Sequence, residues 1–187
     1  MDHVWVHPRL GKFENDGPVW AAMVSASEFS GDILDGVHEV TIETADEDEP
    51  PTNEAAELAI RVLANLSSLQ DRAVKSLWRD FRGKGPSSGM WWRGRLEDVR
   101  DAMGDTLPLD GPDDLAQSLE LERIAIRPIH RSPGGNELLA ELRFAAPFEA
   151  EHGVGILIDG AKIVGIGYAG DVRPFQRRNP SPSAGSE

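Results

Sequence analysis

Residues 37–43, "VHEVTIE", set Val37, Glu39, Thr41 and Glu43 on one side of an extended chain and His38, Val40 and Ile42 on the other, the alternation of a half-buried strand. "RLGKFEND" and "GPVWAAMVSAS" before it read as further strands. "ADEDEPPTN" then breaks the pattern with four acids and two prolines, a solvated loop that leaves Asn53 as a helix cap. From Glu54 the period changes. Leu58, Val62, Leu66, Leu69, Ala73, Leu77 and Phe81 recur at steps of three or four, so they share one helix face. Ser68 with Asp71 three residues on resembles a capping box, which predicts that the segment divides at "NLSSLQD" into two packed helices.

"RGKGPSSGMWWRG" reads as a loop, "RLEDVRDAMGD" as a short helix stopped by Gly104, and "DGPDDLAQSL" as another with Pro112 at its first position. Four strand-like runs follow, "ERIAIRPI", "ELLAELRFAAPFE", "GVGILI" and "AKIVGIGYA". Their connections are short enough for an antiparallel meander. "RPFQRRNPSPSAGSE" has the composition of a disordered tail. The expectation is one α+β domain over residues 1–172 with a tail over 173–187: N-terminal antiparallel strands, a central helical cover and a C-terminal four-strand meander.

Within the last strands "GIGYAG", Gly165 to Gly170, fits the G-x-G-x-x-G spacing of a dinucleotide site. That motif works by delivering a pyrophosphate onto the N-terminus of a following helix, whereas "DVRPFQRRNP" carries Pro174 and Pro180 where the helix belongs. A hairpin explains more. Asp159 and Gly160 suit a two-residue type I′ turn, which predicts Ile158 opposite Ala161, Ile156 opposite Ile163 and Val154 opposite Gly165. Gly153 and Gly155 then face Ile166 and Val164 and vacate space for a closely approaching helix. With apolar side chains on both faces, the hairpin is expected in the middle of the protein.

Composition narrows the function. Lys and Arg total 19 against 32 Asp and Glu, a formal charge of −13, which repels nucleic acid phosphates and anionic lipid alike. Residues 1–53 hold twelve of the acids and two bases, so a basic protein is the partner this first quarter of the chain would steer. There is no cysteine, hence no disulfide, thiolate nucleophile or cysteine-ligated metal. The first residues lack a signal-peptide pattern and no apolar run reaches membrane-spanning length, an arrangement expected of a cytoplasmic protein with no membrane partner.

Candidate chemistry is sparse. Glu149, Glu151, His152 and Asp159 form the best titratable group, and a His beside carboxylates can act as a general base. In an extended strand, however, Glu151 and His152 point to opposite faces and Asp159 lies a strand length away. That placement favours a structural hydrogen-bonding role at the start of the strand. His3 and His7 lie about 13 Å apart at ~3.3 Å per extended residue, too far to share a metal. Asp46, Glu47, Asp48 and Glu49 lack the spaced ligands and central glycine of a calcium loop and read as a solvated binding surface. Ser67, Ser68, Ser87 and Ser88 sit in no G-x-S-x-G elbow. No cofactor or metal is expected. Trp91 and Trp92, beside Arg93 and Arg95, have the composition of interface anchors.

The order of "HPRLGKFEND", a helical pair and "FEAEHGVGILIDGAKIVGIG" resembles a group of uncharacterised bacterial domains that end in an E-H-G-[aliphatic]-G strand and hairpin. Glu151, His152, Gly153, Gly155, Asp159, Gly160 and Gly167 carry the likeness. "FEA" stands where that group has an aromatic or Trp-Asp pair. The resemblance implies a relation to immunity proteins of bacterial toxin systems, hence binding without catalysis. The leading expectation is thus a non-enzymatic module that binds a basic protein. The alternative is a hydrolase or metal-dependent enzyme using His152 with Glu149 or Glu151.

Overall fold

The computed structural model describes residues 3–30, 36–47, 49–86, 99–101, 109–131 and 135–175. Eight strands among them form one sheet in chain order: β1 (Val4–His7), β2 (Gly11–Asp16), β3 (Val19–Ser25), β4 (Val37–Glu43), β5 (Glu120–Arg131), β6 (Gly135–Ala145), β7 (Val154–Asp159) and β8 (Lys162–Tyr168). Neighbours are antiparallel except β4 and β5, which run parallel with Val40 beside Ile124 and Ile42 beside Ile126. A parallel pair needs a long crossover. Here it contains α2 (Asn53–Leu63), α3 (Leu66–Phe81) and α4 (Pro112–Gln117), while the short α1 (Ser27–Ser30) joins β3 to β4. The fold is α+β as expected, with the N-terminal strands and the meander fused into a single sheet.

Helix α2 packs on β4, β5 and β6, and α3 reaches β8. Between helices and sheet lies a core that includes Phe13, Trp20, Ile42, Leu63, Leu77, Ile124, Ile126 and Ile156. Two helix starts differ from the expected ones. Thr52, not Asn53, caps α2, its Oγ1 accepting the Ala55 N–H at 3.2 Å. The second helix begins at Leu66 after Asn65, ahead of the Ser68–Asp71 box, and this start buries both Leu66 and Leu69. Burial of two leucines, at about 1.5–3 kcal/mol each, outweighs the ~1 kcal/mol of a better cap.

The β7–β8 hairpin also differs in register. Asp159 pairs with Lys162, so Gly160 and Ala161 are the central turn residues. Gly160 takes φ +57° and Ala161 stays at negative φ, which suits a type II′ turn and not type I′. A bulge then shifts the ladder, giving Leu157 opposite Gly165, Ile156 opposite Ile166 and Gly155 opposite Gly167. The hairpin is covered on both faces but is not central, since β8 is the last strand of the sheet.

Among the described residues no helix lies against Gly153, Gly155, Gly165 or Gly167. After β8 the chain folds back as a strap, residues 169–175, over the face of the sheet opposite the helices. Val172 joins Ile129, Leu139 and Leu157 in a second small apolar cluster, and Phe175 N donates to Val164 O at 2.6 Å. A buried ionic group holds the strap. Glu141, fully buried, stands 2.9 Å from Arg127 Nε and 3.3 Å from Arg143 Nη2, and accepts the Gly170 N–H at 2.7 Å. Arg127 donates to the carbonyls of Gly170 at 2.5 Å and Val172 at 3.2 Å. Arg173 and Phe175, placed by sequence in the tail, are thus part of the strap.

Candidate functional site

The strap decides the fate of the "GIGYAG" glycines. A side chain at Gly155 would meet Glu141 Oε1 at 2.6 Å and Val172 Cγ1 at 3.0 Å, and one at Gly165 would collide with the Arg173 carbonyl. The space a phosphate would need is filled by the chain itself, and residues 171–175 hold a turn residue and irregular backbone with no helix start. The glycines serve close packing.

A cavity of about 580 Å³ opens elsewhere, between the start of β5, the end of β6 and the turn before β7. The turn begins with a single 3-10 helical turn, Pro147–Glu149, where Pro147 restrains φ and Glu149 N bonds to Ala146 O at 3.0 Å. Gly153 N then returns to Glu149 O at 2.8 Å, and Gly153 itself takes φ +68° as the chain enters β7. Residues 150–152 are therefore a tight turn and not the extended strand that sequence predicts. As a consequence Glu149 and His152, three residues apart, come together: Nδ1 of His152 lies 3.0 Å from Glu149 Oε1. The imidazole also rests 5.0 Å from the Tyr168 ring.

Four carboxylates, Glu120, Glu122, Glu149 and Glu151, line this cavity with His152, and among the described residues no Lys or Arg does. The hydrogen bond to Glu149 raises the His152 pKa above its ordinary value; burial opposes it, and the nearby charges of Glu151, Glu149 and Asp171 add to the rise. The chemistry on offer is a concave anion-rich surface that suits a guanidinium or ammonium group. A His–Glu pair can also activate water as a general base. The lining hydroxyl, Ser118, is buried and donates to Leu115 O at 2.8 Å within its own helix turn, so it is not aligned with His152 as a nucleophile.

The remaining expected residues lie elsewhere. Asp159 and Gly160 are exposed at the β7–β8 turn, at the other end of β7 from His152. Asp46, Glu47 and Glu49 form a turn pinned to the β2–β3 hairpin: Asn15 Nδ2 donates to Glu47 O at 3.1 Å, and Trp20 Nε1 to Glu49 O at 3.0 Å. Asp48, Trp91 and Trp92 lie outside the described residues. Among the described residues no three His, Asp or Glu side chains are grouped to hold a metal ion, and no helix is long and apolar enough to cross a membrane. Glu120 and Glu122 were not singled out from sequence. Their i, i+2 spacing in "ELER" carries the signal, but it names a partner surface only once Glu149 and Glu151 are known to face it.

A family model described as a domain of unknown function (DUF6985) matches residues 9–173. No curated protein and no solved structure matches the chain.

Proposed function

We propose that this chain, which belongs to the DUF6985 family, is a non-enzymatic binding module whose acidic cavity receives a cationic side chain of a partner protein. The observation that carries the reading is the lining itself, four glutamates around a concave surface with no compensating Lys or Arg among the described residues. Exposed ion pairs singly contribute only about 0–1 kcal/mol, so selectivity comes from several carboxylates converging on one cation. The acidic first quarter of the chain, residues 1–53, adds long-range attraction for a basic partner. In its finer form the partner is a basic toxin neutralised by immunity-type binding.

Isothermal titration with a short Arg-Gly peptide is expected to give measurable binding, with a Gln-Gly peptide inert. Glu120→Gln/Glu122→Gln/Glu151→Gln should weaken binding about tenfold, three carboxylates at ~0.5 kcal/mol each. The pH dependence has a definite sign. Below the raised His152 pKa the imidazolium neutralises Glu149, and as pH rises through that value the charge is lost and the cavity becomes more negative. Affinity for the cation therefore rises with pH, and His152→Gln removes that rise. Equal binding by wild type and the triple variant would refute the reading.

The 3.0 Å approach of His152 to Glu149 at the mouth of a cavity favours a second reading, hydrolysis by general-base activation of water. The two part at His152→Gln: it abolishes hydrolysis of a cationic ester or amide substrate in the second, and leaves peptide binding intact apart from its pH dependence in the first.

A further inference from the structure

The sheet has two edges, β1 and β8, and they are treated differently. At β8 the strap passes from the outer face, where Val172 packs, to the helix side, where Phe175 meets the main core, and Phe175 N bonds to Val164 O at 2.6 Å on the way. At β1 no described strand lies beyond. Native sheets blunt an open edge with Lys, Pro or a bulge, because unpaired N–H and C=O groups are a template for another strand. Val4–His7, "VWVH", has none of these and keeps an unbroken register with β2.

The ladder fixes which groups are open. Asn15 N donates to His3 O at 3.3 Å, and the register sets these two residues opposite one another, so they form a hydrogen-bonded pair. Antiparallel alternation then makes Trp5–Phe13 and His7–Gly11 the next bonded pairs and turns the N–H and C=O of Val4 and Val6 away from β2. No described group bonds to them. The edge is also pre-organised. His7 Nδ1 accepts the N–H of Arg9 and of Leu10, each at 3.3 Å, and the Trp5 ring stands 5.2 Å from Phe13 and 5.4 Å from His7.

This edge is complementary to itself. Antiparallel pairing about a two-fold axis at Trp5 lets Val4 exchange both bonds with Val6 of a second copy, and the reverse, so every open group finds a partner. Trp5 then lies beside its counterpart, an aromatic cross-strand pair, and the half-exposed valines lie beside each other on the outer face. Charge selects the same register. Lys12 is level with Val6 and Glu14 with Val4, so each outer row runs Lys12, Val6, then Val4 and Glu14 of the second copy, and ends in opposite charges. A two-fold at Val4 or at Val6 would put Glu14 or Lys12 in line with its own kind.

We infer that the chain associates with a second copy through the open edge of β1, antiparallel about Trp5, to make one sheet continuous across two molecules. The edge is separate from the acidic cavity and pairs whether or not the cavity binds a cation. The formal charge of −13 on each copy opposes approach at long range, and salt screens it beyond about 8 Å at physiological ionic strength. A strand this short buries less than the ~1,200–2,000 Å² of a stable interface, so the dimer belongs at roughly 0.1–1 mM and not at nanomolar concentration.

Sedimentation of the full chain, from about 10 µM to 1 mM, should move from monomer toward dimer mass, and further with added salt. Over the same range hydrogen exchange at the Val4 and Val6 amides should slow about threefold or more, while Trp5 and His7, already bonded to β2, change less. Val6→Pro removes only an outward N–H, which an edge strand tolerates, and should abolish the dimer with the monomer still folded. Val6→Lys sets a like charge beside Lys12 and should weaken the dimer about tenfold or more without touching the β1–β2 ladder. Glu120→Gln/Glu122→Gln/Glu151→Gln should leave it unchanged. Any of four results overturns the inference: monomer mass at every concentration, a dimer undiminished in Val6→Lys or in folded Val6→Pro, a dimer whose Val4 and Val6 amides stay open (another interface), or protection of those amides that does not depend on concentration (the chain's own segment as cover).

Discussion

Glu141→Ala is expected to destabilise the fold by about 3–5 kcal/mol, the usual loss when one partner of a buried ion pair is removed and the other is left uncompensated. Its carboxylate is wholly buried, faces Arg127 and Arg143, and accepts the Gly170 N–H, so the substitution removes the counter-charge of two guanidinium groups, leaving Arg127 only the Gly170 and Val172 carbonyls, and orphans one backbone donor. Desolvating two charges is costly, and an apolar pair of similar size often does as well. Arg127→Met/Glu141→Leu should therefore recover part of the loss, the Gly170 N–H and Arg143 still lacking the carboxylate. Urea unfolding of the three proteins at common slope measures this, and a single-variant loss under about 1 kcal/mol would show that the ionic group does not hold the strap.

Gly155→Ala is the second. A methyl there lies 2.6 Å from Glu141 Oε1, 3.0 Å from Tyr168 O and 3.0 Å from Val172 Cγ1. Two of these atoms belong to the strap and its turn, and the third is the carboxylate that anchors it. Relief requires the strap to lift, at a cost of about 1–3 kcal/mol for overpacking, or roughly 2–12 °C in Tm at this chain length. Faster amide exchange at Gly170 should accompany it, because the Glu141 bond to that N–H is the one displaced. Gly160→Ala is a useful contrast, since nothing lies within 4 Å of the added methyl and any loss there arises from φ +57° alone. Protection at Gly170 unchanged in Gly155→Ala would contradict the close packing described.

Local features were readable from sequence where a single element decides them. The alternation in "VHEVTIE" gives β4 and its two faces, and the three-to-four spacing from Leu58 to Phe81 gives the helical cover. What a distant partner decides was not readable. The parallel pairing of β4 with β5 depends on a crossover that spans the helices. The true start of α3 reflects tertiary burial of Leu66 overriding a capping box. The hairpin register moved because a bulge opposite Leu157 adds a residue that turn chemistry cannot announce. Gly155 and Gly165 signal a close approach in sequence, but that signal cannot tell a helix from a returning strap.

At the candidate site the residue types were legible and their geometry was not. Treating residues 151–152 as extended separates Glu151 from His152 and says nothing of Glu149. Pro147 and Gly153, which bracket the turn, were the clue that this stretch is bent, and bending is what brings Glu149 to His152. Glu120 and Glu122 join only through the β5–β6 pairing, in which Glu120 lies opposite Ala145.

The most direct test is a map of where a cation binds. Amide and imidazole resonances followed while an Arg-Gly peptide is added should move at Glu120, Glu122 and Glu149–Gly153, with the His152 ring titrating at lower pH once the cation is bound. Shifts spread evenly over the acidic surface, with those residues and the His152 titration unmoved, would contradict the claim that this cavity is the binding site.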